Sequence, residues 1–435
     1  MKTLAPTALP LSALLLLAAG SATADLPEWN TIELQARSNL IVNDNGWNVP
    51  PGTSFNSISP AINDAQQVAF SAGVVPIGGD LAHSGAGIWL GGHATGAFVV
   101  IHDPGTDPKA FVGISDPSLN ANGDVAYYTF GDTPNYVLWR YDTLAGDSDT
   151  VSTLPLTASA FSNPVMLADG RIGFRATVPG GAAVGITVAT GGATAYAYDS
   201  GVDAGSPYAY LYTPDTSEDG RIFVKASVGD YDHNEILAFD ALYEGTRVAA
   251  NRAIDPQSSF SAFNNGLGVS RDGRFVALIA TLADDGVQAV YRFQDDGAGG
   301  YTAVEIARIG SAPITELPYF SPAVNDAGVV AFRAKDAAGD AIYAGDGTNL
   351  VRVIGNGDAV LTDMGPAQIG QHDSSPAFAG KPAINNRGDI AFVAGVYPEG
   401  DNQTEWGSGV FVAYADAEVA DRIFADGFET QAEAP

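Results

Sequence analysis

The chain has 435 residues, 46% of them hydrophobic, with 50 acidic against 20 basic side chains and a formal charge of −30. That charge excludes nucleic acid and anionic membrane surfaces as partners, and the apolar content excludes a disordered acidic chain. With no cysteine, no disulfide supports the fold, and stability has to come from a large core.

Residues 1–24 read as a secretory leader. Lys2 supplies the positive end, LPLSALLLLAAG the apolar stretch, and Ala22-Thr23-Ala24 the small-x-small cleavage pattern before Asp25. The competing reading, a membrane anchor, needs roughly 20 apolar residues, and this run is shorter. No other stretch is long and apolar enough to span. The expected location is secreted, periplasmic or on the outer cell surface, with no membrane insertion once the leader is gone.

From Ser59 onward one pattern recurs seven times. Its clearest copy is SPAVNDAGVVAFRA, Ser321 to Ala334, and the copies are anchored at Gln66, Gly123, Gly170, Gly220, Gly273, Gly328 and Gly388. Asx residues followed by Gly close a tight turn, and the short apolar runs on either side have a period of two, so each copy is a β-hairpin. In its second strand, residues two and four past the anchor are bulky and apolar, as in Val330 and Phe332. The residue between them is small in five copies, as in Ala331. A sheet with one bulky and one low face can stack on its neighbour and bury both. Two further strands follow each hairpin, such as Ala341 to Ala344 and Leu350 to Ile354. The seventh copy has no fourth strand after Val412, and the unassigned run Asn39-Leu-Ile-Val42 is the expected replacement.

The predicted fold is all-β: over residues 25–414, a seven-bladed β-propeller of four-stranded blades with a repeat of about 54 residues, closed by an N-terminal strand that completes the last blade. An open β-solenoid is the competing architecture, though solenoid turns are usually shorter and need caps. Residues 415–435 form an acidic tail carrying Ile423-Phe-Ala-Asp-Gly-Phe-Glu429. A closed ring with this charge is expected to be monomeric.

The repeat resembles the NxxGxxAF tandem repeat of secreted bacterial proteins with a variable C-terminal sorting tail. More distantly it is similar to the turn and strand of TolB-type and other WD40-like propellers. The likeness covers seven copies from residue 59 to 394. The first copy departs from it with Gln66 at the glycine site, and copies three to five lack the Asn but keep Asp-Gly-Arg. The tail resembles a short IFxDGFE ending of exported proteins. The resemblance implies a fold and brings no catalytic residues; that propeller faces bind proteins or peptides is an analogy.

Motif chemistry is sparse. The five histidines form no HxxxH, HxH or HExxH pair, and His83 with His93 is the one pair that could meet across a strand. There is no GxSxG, Walker or GxGxxG signature, so no catalytic residue and no cofactor is assigned. The loops at Asn43–Gly46, Asp103–Asp107, Asp147–Asp149, Asp295–Gly297 and Asp346–Gly347 could donate oxygens to a structural Ca²⁺, but none has full calcium-loop spacing. Aromatic residues in the long blade-to-blade connections are the strongest binding signal: Trp47, Tyr208, Tyr210, Tyr212, Tyr319 with Phe320, and Trp406. These could meet a protein, peptide or glycan on one rim. The alternation in Tyr208-Ala-Tyr-Leu-Tyr212 places its tyrosines on one strand face. The leading reading is a non-enzymatic binding scaffold. The alternatives are a secreted polysaccharide hydrolase or lyase with carboxylates near the axis, which requires convergent axial acids of shifted pKa, and a cell-surface protein displayed through its tail.

Overall fold

The computed structural model describes residues 26–38, 46–50, 52–55, 58–74, 85–102, 113–130, 136–151, 158–187, 193–240, 245–371 and 376–415. The predicted leader, residues 416–435 of the acidic tail, Asn39–Val42, His83, His372 and the loops Asn43–Asn45 and Asp103–Asp107 lie outside the described residues.

Seven antiparallel sheets follow one another around a ring, each running from an inner to an outer strand. Blade 6 shows the plan, with Ala323–Val324 innermost, then Val330–Asp336, Gly339–Gly345 and Leu350–Gly355. The molecule is a seven-bladed β-propeller. Both faces of the second strands are buried, as the pattern requires. Val330, Ala331 and Phe332 are all at or below 1% exposure, and their counterparts in the other blades are buried with them. The bulky residue four past the anchor pairs directly with an aromatic on the third strand in four blades: Phe70 with Trp89, Tyr127 with Trp139, Phe332 with Tyr343 and Phe392 with Phe411. Their rings lie near-parallel at 4.9 to 6.3 Å, the cross-strand stacking that stabilises sheets.

The ring closes through an N-terminal strand, but an earlier one than Asn39–Val42. Thr31–Arg37 pairs antiparallel with Gly407–Tyr414 as the outer strand of blade 7. It reads TIELQAR, half polar, and its anchors are specific contacts made across the ends of the chain. Arg37, only 1% exposed, forms a two-pronged pair with Asp363 at 2.8 and 2.9 Å and donates to the Trp406 carbonyl at 2.7 Å. The Trp29 indole donates to Gly388 O at 2.9 Å. Asp363 sits in a hairpin, Ala359–Thr362 with Gly365–Ile369, that joins the sheet of blade 7 through its second strand.

The repeat asparagine does two jobs. Its Oδ1 accepts from the backbone N–H groups two and four residues on, closing its own turn. Its amide then reaches the next blade, where Asn63 donates to Asn120 O, Asn120 to Leu167 O, Asn325 to Asn385 O and Asn385 to Asn63 O, at 2.9 to 3.1 Å. Blades 4 and 5 lack the Asn, and the arginine after the glycine crosses instead: Arg221 to Gly273 O and Arg274 to Asp326 O. The anchor needs a left-handed backbone, with φ between +71° and +92° in the six glycines. Gln66 holds φ +63° in their place, tied down by Asp389 at 2.9 Å and by His93 at 3.1 Å. Replacing Asn385 by Ala removes a buried interblade donor and the one oxygen that accepts two turn N–H groups. It is expected to cost about 2–4 kcal/mol, read as a lower urea midpoint at unchanged slope.

Candidate functional site: an aromatic and cationic mouth

Chain direction sorts the two faces of the ring. Inner strands run down to the repeat turns, so the turns and the third-to-fourth-strand hairpins lie on one face. The blade-to-blade connections and the second-to-third-strand hairpins lie on the other, and the rim residues singled out by the sequence belong to this second face.

Four side chains on that face form a linked set. In blade 4, the inner strand Tyr208–Leu211 carries a bulge after Tyr208. The bulge breaks the alternation, so the three tyrosines do not share one face. Tyr208 turns into the core, edge-on to Phe239 at 5.5 Å. Tyr210 and Tyr212 meet edge-to-face at 4.7 Å, and Tyr231, from the next hairpin, lies 6.3 Å from Tyr210. Tyr319 arrives from the connection between blades 5 and 6, where its hydroxyl accepts from the Asn265 N–H at 3.4 Å. Trp47 and Trp406 are not brought to this set. Both are partly buried wedges around Arg37 at blade 7.

Three cations run beneath these rings, all five residues past an anchor on second strands. Arg175 donates from Nε to Leu211 O at 2.7 Å and from Nη2 to the Tyr210 hydroxyl at 3.0 Å. Lys225 Nζ donates to Phe263 O at 2.8 Å and to Asn265 Oδ1 at 3.0 Å, 4.3 Å from the Tyr212 ring centre. Arg333 donates from Nη1 to Gly380 O at 2.9 Å, with its guanidinium 4.4 Å from the Phe320 ring centre. Each acceptor carbonyl lies on an inner strand of the following blade, in or beside a bulge. Among the described residues, none of the three cations makes an ion pair. Burial pushes the Lys225 ammonium down to about 8, and it pulls the Arg333 guanidinium below its ordinary range, with distant Asp340 opposing. The sequence gives little warning of these groups. The same position holds Ser71, Tyr128, Leu278 and Val393 in the other blades, so it looks like a variable surface site.

Exposure marks the same mouth. Among the described residues, the exposed large aromatics are Tyr231 (63%), Tyr319 (63%) and Phe320 (39%). The hollow between blades 3, 4 and 5 is lined by Ser162, Arg175, Tyr210, Tyr212, Thr213, Tyr231 and Asn265, without an aliphatic side chain, and the buried Ser162 hydroxyl has no protein partner.

The axis itself holds a cavity of about 200 Å³ to which all seven blades contribute. Asp116, Asp215 and Lys381 project into it. Burial raises both carboxyl pKa values. Hydrogen bonds from Ser59 and the Lys381 charge oppose this at Asp116; at Asp215, Lys381, the Thr216 and Val269 N–H groups and Arg271 do so. Towards the turn face, Arg271 pairs with Glu218 at 3.0 Å and reaches across the ring to Leu119 O at 3.2 Å, obstructing that end.

Among the described residues no cluster of three metal-ligating side chains occurs. His93 lies against Tyr414 and Gln66. The carboxylates of Asp295, Asp296 and Asp346 accept N–H groups of their own turns. No helix among these residues is long and apolar enough to cross a membrane.

No protein-family model matches the chain, and no curated protein matches it. Solved structures do. An oligogalacturonate lyase in complex with manganese aligns at a TM-score of 0.51 and 12% identity, over 90% of this chain and 97% of that one. The propeller domain of the Trilobed protease from Pyrococcus furiosus aligns at 0.48 and 11%, over 80% and 92%. TolB from Acinetobacter baumannii aligns at 0.42 and 14%, over 70% of this chain and 64% of its own length, so the chain spans less than two thirds of that protein. At these identities the likeness is one of fold, and the lyase, at the highest of these scores and over nearly its whole length, supports the β-propeller read from the topology.

Proposed function

We propose that this chain is an exported propeller that works as a binding scaffold, with its ligand seated across the mouth formed by Tyr210, Tyr212, Tyr231, Tyr319 and the cations beneath them. The observation that carries this reading is a coincidence of costs. The exposed Tyr231 and Tyr319 stand beside the half-buried Arg175 and the buried Lys225, neither of which makes an ion pair among the described residues. A buried unpaired charge is expensive and an exposed ring contributes little to the fold, so neither is explained by stability. Rings that project from separate blades offer flat faces to a ligand lying across several blades. The leader motif supports export.

Replacing both Tyr231 and Tyr319 by Ala is expected to leave the melting temperature within about 1 °C, since both rings are mostly solvated. The same change is expected to lower affinity for any ligand found at least tenfold. A double variant that binds normally contradicts the reading.

A hydrolase or lyase remains the second reading, favoured by the raised pKa values of Asp116 and Asp215 on the axis. The cavity there is small and the Arg271–Glu218 pair obstructs its turn side, which suits a polymer chain poorly. On the scaffold reading, Asp215→Asn relieves a desolvated charge but keeps only one of the two oxygens that accept the Thr216 and Val269 N–H groups, so the two effects oppose each other. It is expected to shift the melting temperature little at pH 7 and leave binding intact. Sugar turnover by the wild type that this variant abolishes favours the enzyme.

A further inference from the structure

We propose that the ligand of this mouth is a carboxylate-bearing oligosaccharide, its acid group received beside Arg175 and Lys225 and its sugar rings laid on Tyr231 and Tyr319; this rests on the mouth being the ligand site. Three observations lead to the class.

The first is charge. Arg175 lines the hollow and Lys225 lies buried behind the Tyr212 ring of its wall, neither in an ion pair among the described residues. Capping the carbonyls of Leu211 and Phe263 does not require a cation, because any neutral donor could make those hydrogen bonds. The equivalent positions of blades 1 and 2 hold the neutral Ser71 and Tyr128. Positive charge placed under aromatic rings is suited to an incoming anion.

The second is the lining. An anchored peptide needs apolar pockets for its side chains. This hollow has hydroxyls, an amide and aromatic rings instead, with the Ser162 hydroxyl left unsatisfied. Those are partners for sugar hydroxyls, and the exposed tyrosine rings are platforms for the apolar face of a pyranose.

The third is the overall charge of −30, which repels a densely charged polyanion at long range. The ligand that fits has sparse carboxylates, each met by short-range contacts that salt screens weakly.

The test is calorimetric titration of the full chain, in moderate salt, with uronate hexamers derived from alginate, pectin and hyaluronan. The carboxyl-reduced neutral counterparts and hexaglutamate serve as the other arms. The expected result is binding of at least one uronate hexamer, at least tenfold weaker binding of its reduced form, and no binding of hexaglutamate. Arg175→Gln should lower uronate affinity at least tenfold and Arg175→Lys should recover part of it, which separates lost charge from lost folding. Equal binding of acidic and reduced sugars overturns the acid class and leaves the mouth standing. Binding of hexaglutamate alone overturns the sugar. Uronate binding that survives both Arg175→Gln and the Tyr231/Tyr319 double substitution moves the ligand elsewhere and overturns the mouth as well.

Discussion

A chain that begins at Ser38 is expected to lose its cooperative thermal transition and to aggregate. Removing Thr31–Arg37 strips the outer strand from blade 7, exposes the hydrogen-bonding edge of Gly407–Tyr414, and uncovers core around Leu34 and Ala36. It also strands Asp363, whose charge is balanced by Arg37. Arg37→Met isolates that part. The strand stays, but a mostly buried carboxylate and the Trp406 carbonyl lose their partner, at a cost of about 3–5 kcal/mol. Calorimetry with light scattering reads both effects. A truncated chain that melts where the full one does shows that the ring closes some other way.

Lys225→Met is expected to do the reverse, stabilising the protein while weakening its binding. The ammonium is held at about 8 by burial, against an ordinary value near 10.5. Keeping it charged at pH 7 therefore costs about 3 kcal/mol. Losing the hydrogen bonds to Phe263 O and Asn265 takes back about 1–2 kcal/mol, which leaves a net gain of about 1–2 kcal/mol. The sign with pH follows from the lowered value. Between about pH 8 and 10.5 the folded lysine is already neutral while the unfolded one still holds its proton. Wild-type stability therefore rises with pH across that window, and the advantage of the methionine shrinks. Chemical denaturation at pH 7 and pH 10 checks the trend. A variant that is less stable at pH 7 makes Lys225 a structural bulge cap and removes the main argument for a ligand.

The fold was legible because its determinants are local and repeated. Seven turns, each with its left-handed anchor, and the paired face code of Val330, Ala331 and Phe332 are visible in any one copy. That an N-terminal strand closes the last blade was legible as well; which stretch supplies it was not, for a physical reason. Leu-Ile-Val at residues 40–42 looks like a buried strand, whereas TIELQAR hides its anchor in a charge whose partner, Asp363, lies in blade 7 near the other end of the chain. The rim was half legible. Tyr210, Tyr212 and Tyr319 do come together, but alternation alone could not foresee the bulge that sends Tyr208 into the core. Trp47 and Trp406, attractive as exposed rings, serve as wedges. Arg175, Lys225 and Arg333 escaped notice because a basic residue on a strand ordinarily reads as solvated, and only the assembled ring shows each one bonded to its neighbour's bulge, Lys225 and Arg333 buried and Arg175 half-buried.

The most direct measurement of the central claim is one glycan and peptide array probed in parallel with the wild-type chain and the Tyr231→Ala/Tyr319→Ala variant. The account predicts a defined set of ligands for the wild type and loss of that set in the variant, with both proteins equally folded by calorimetry. Ligands held equally by both proteins, or an array blank for the wild type, would contradict it.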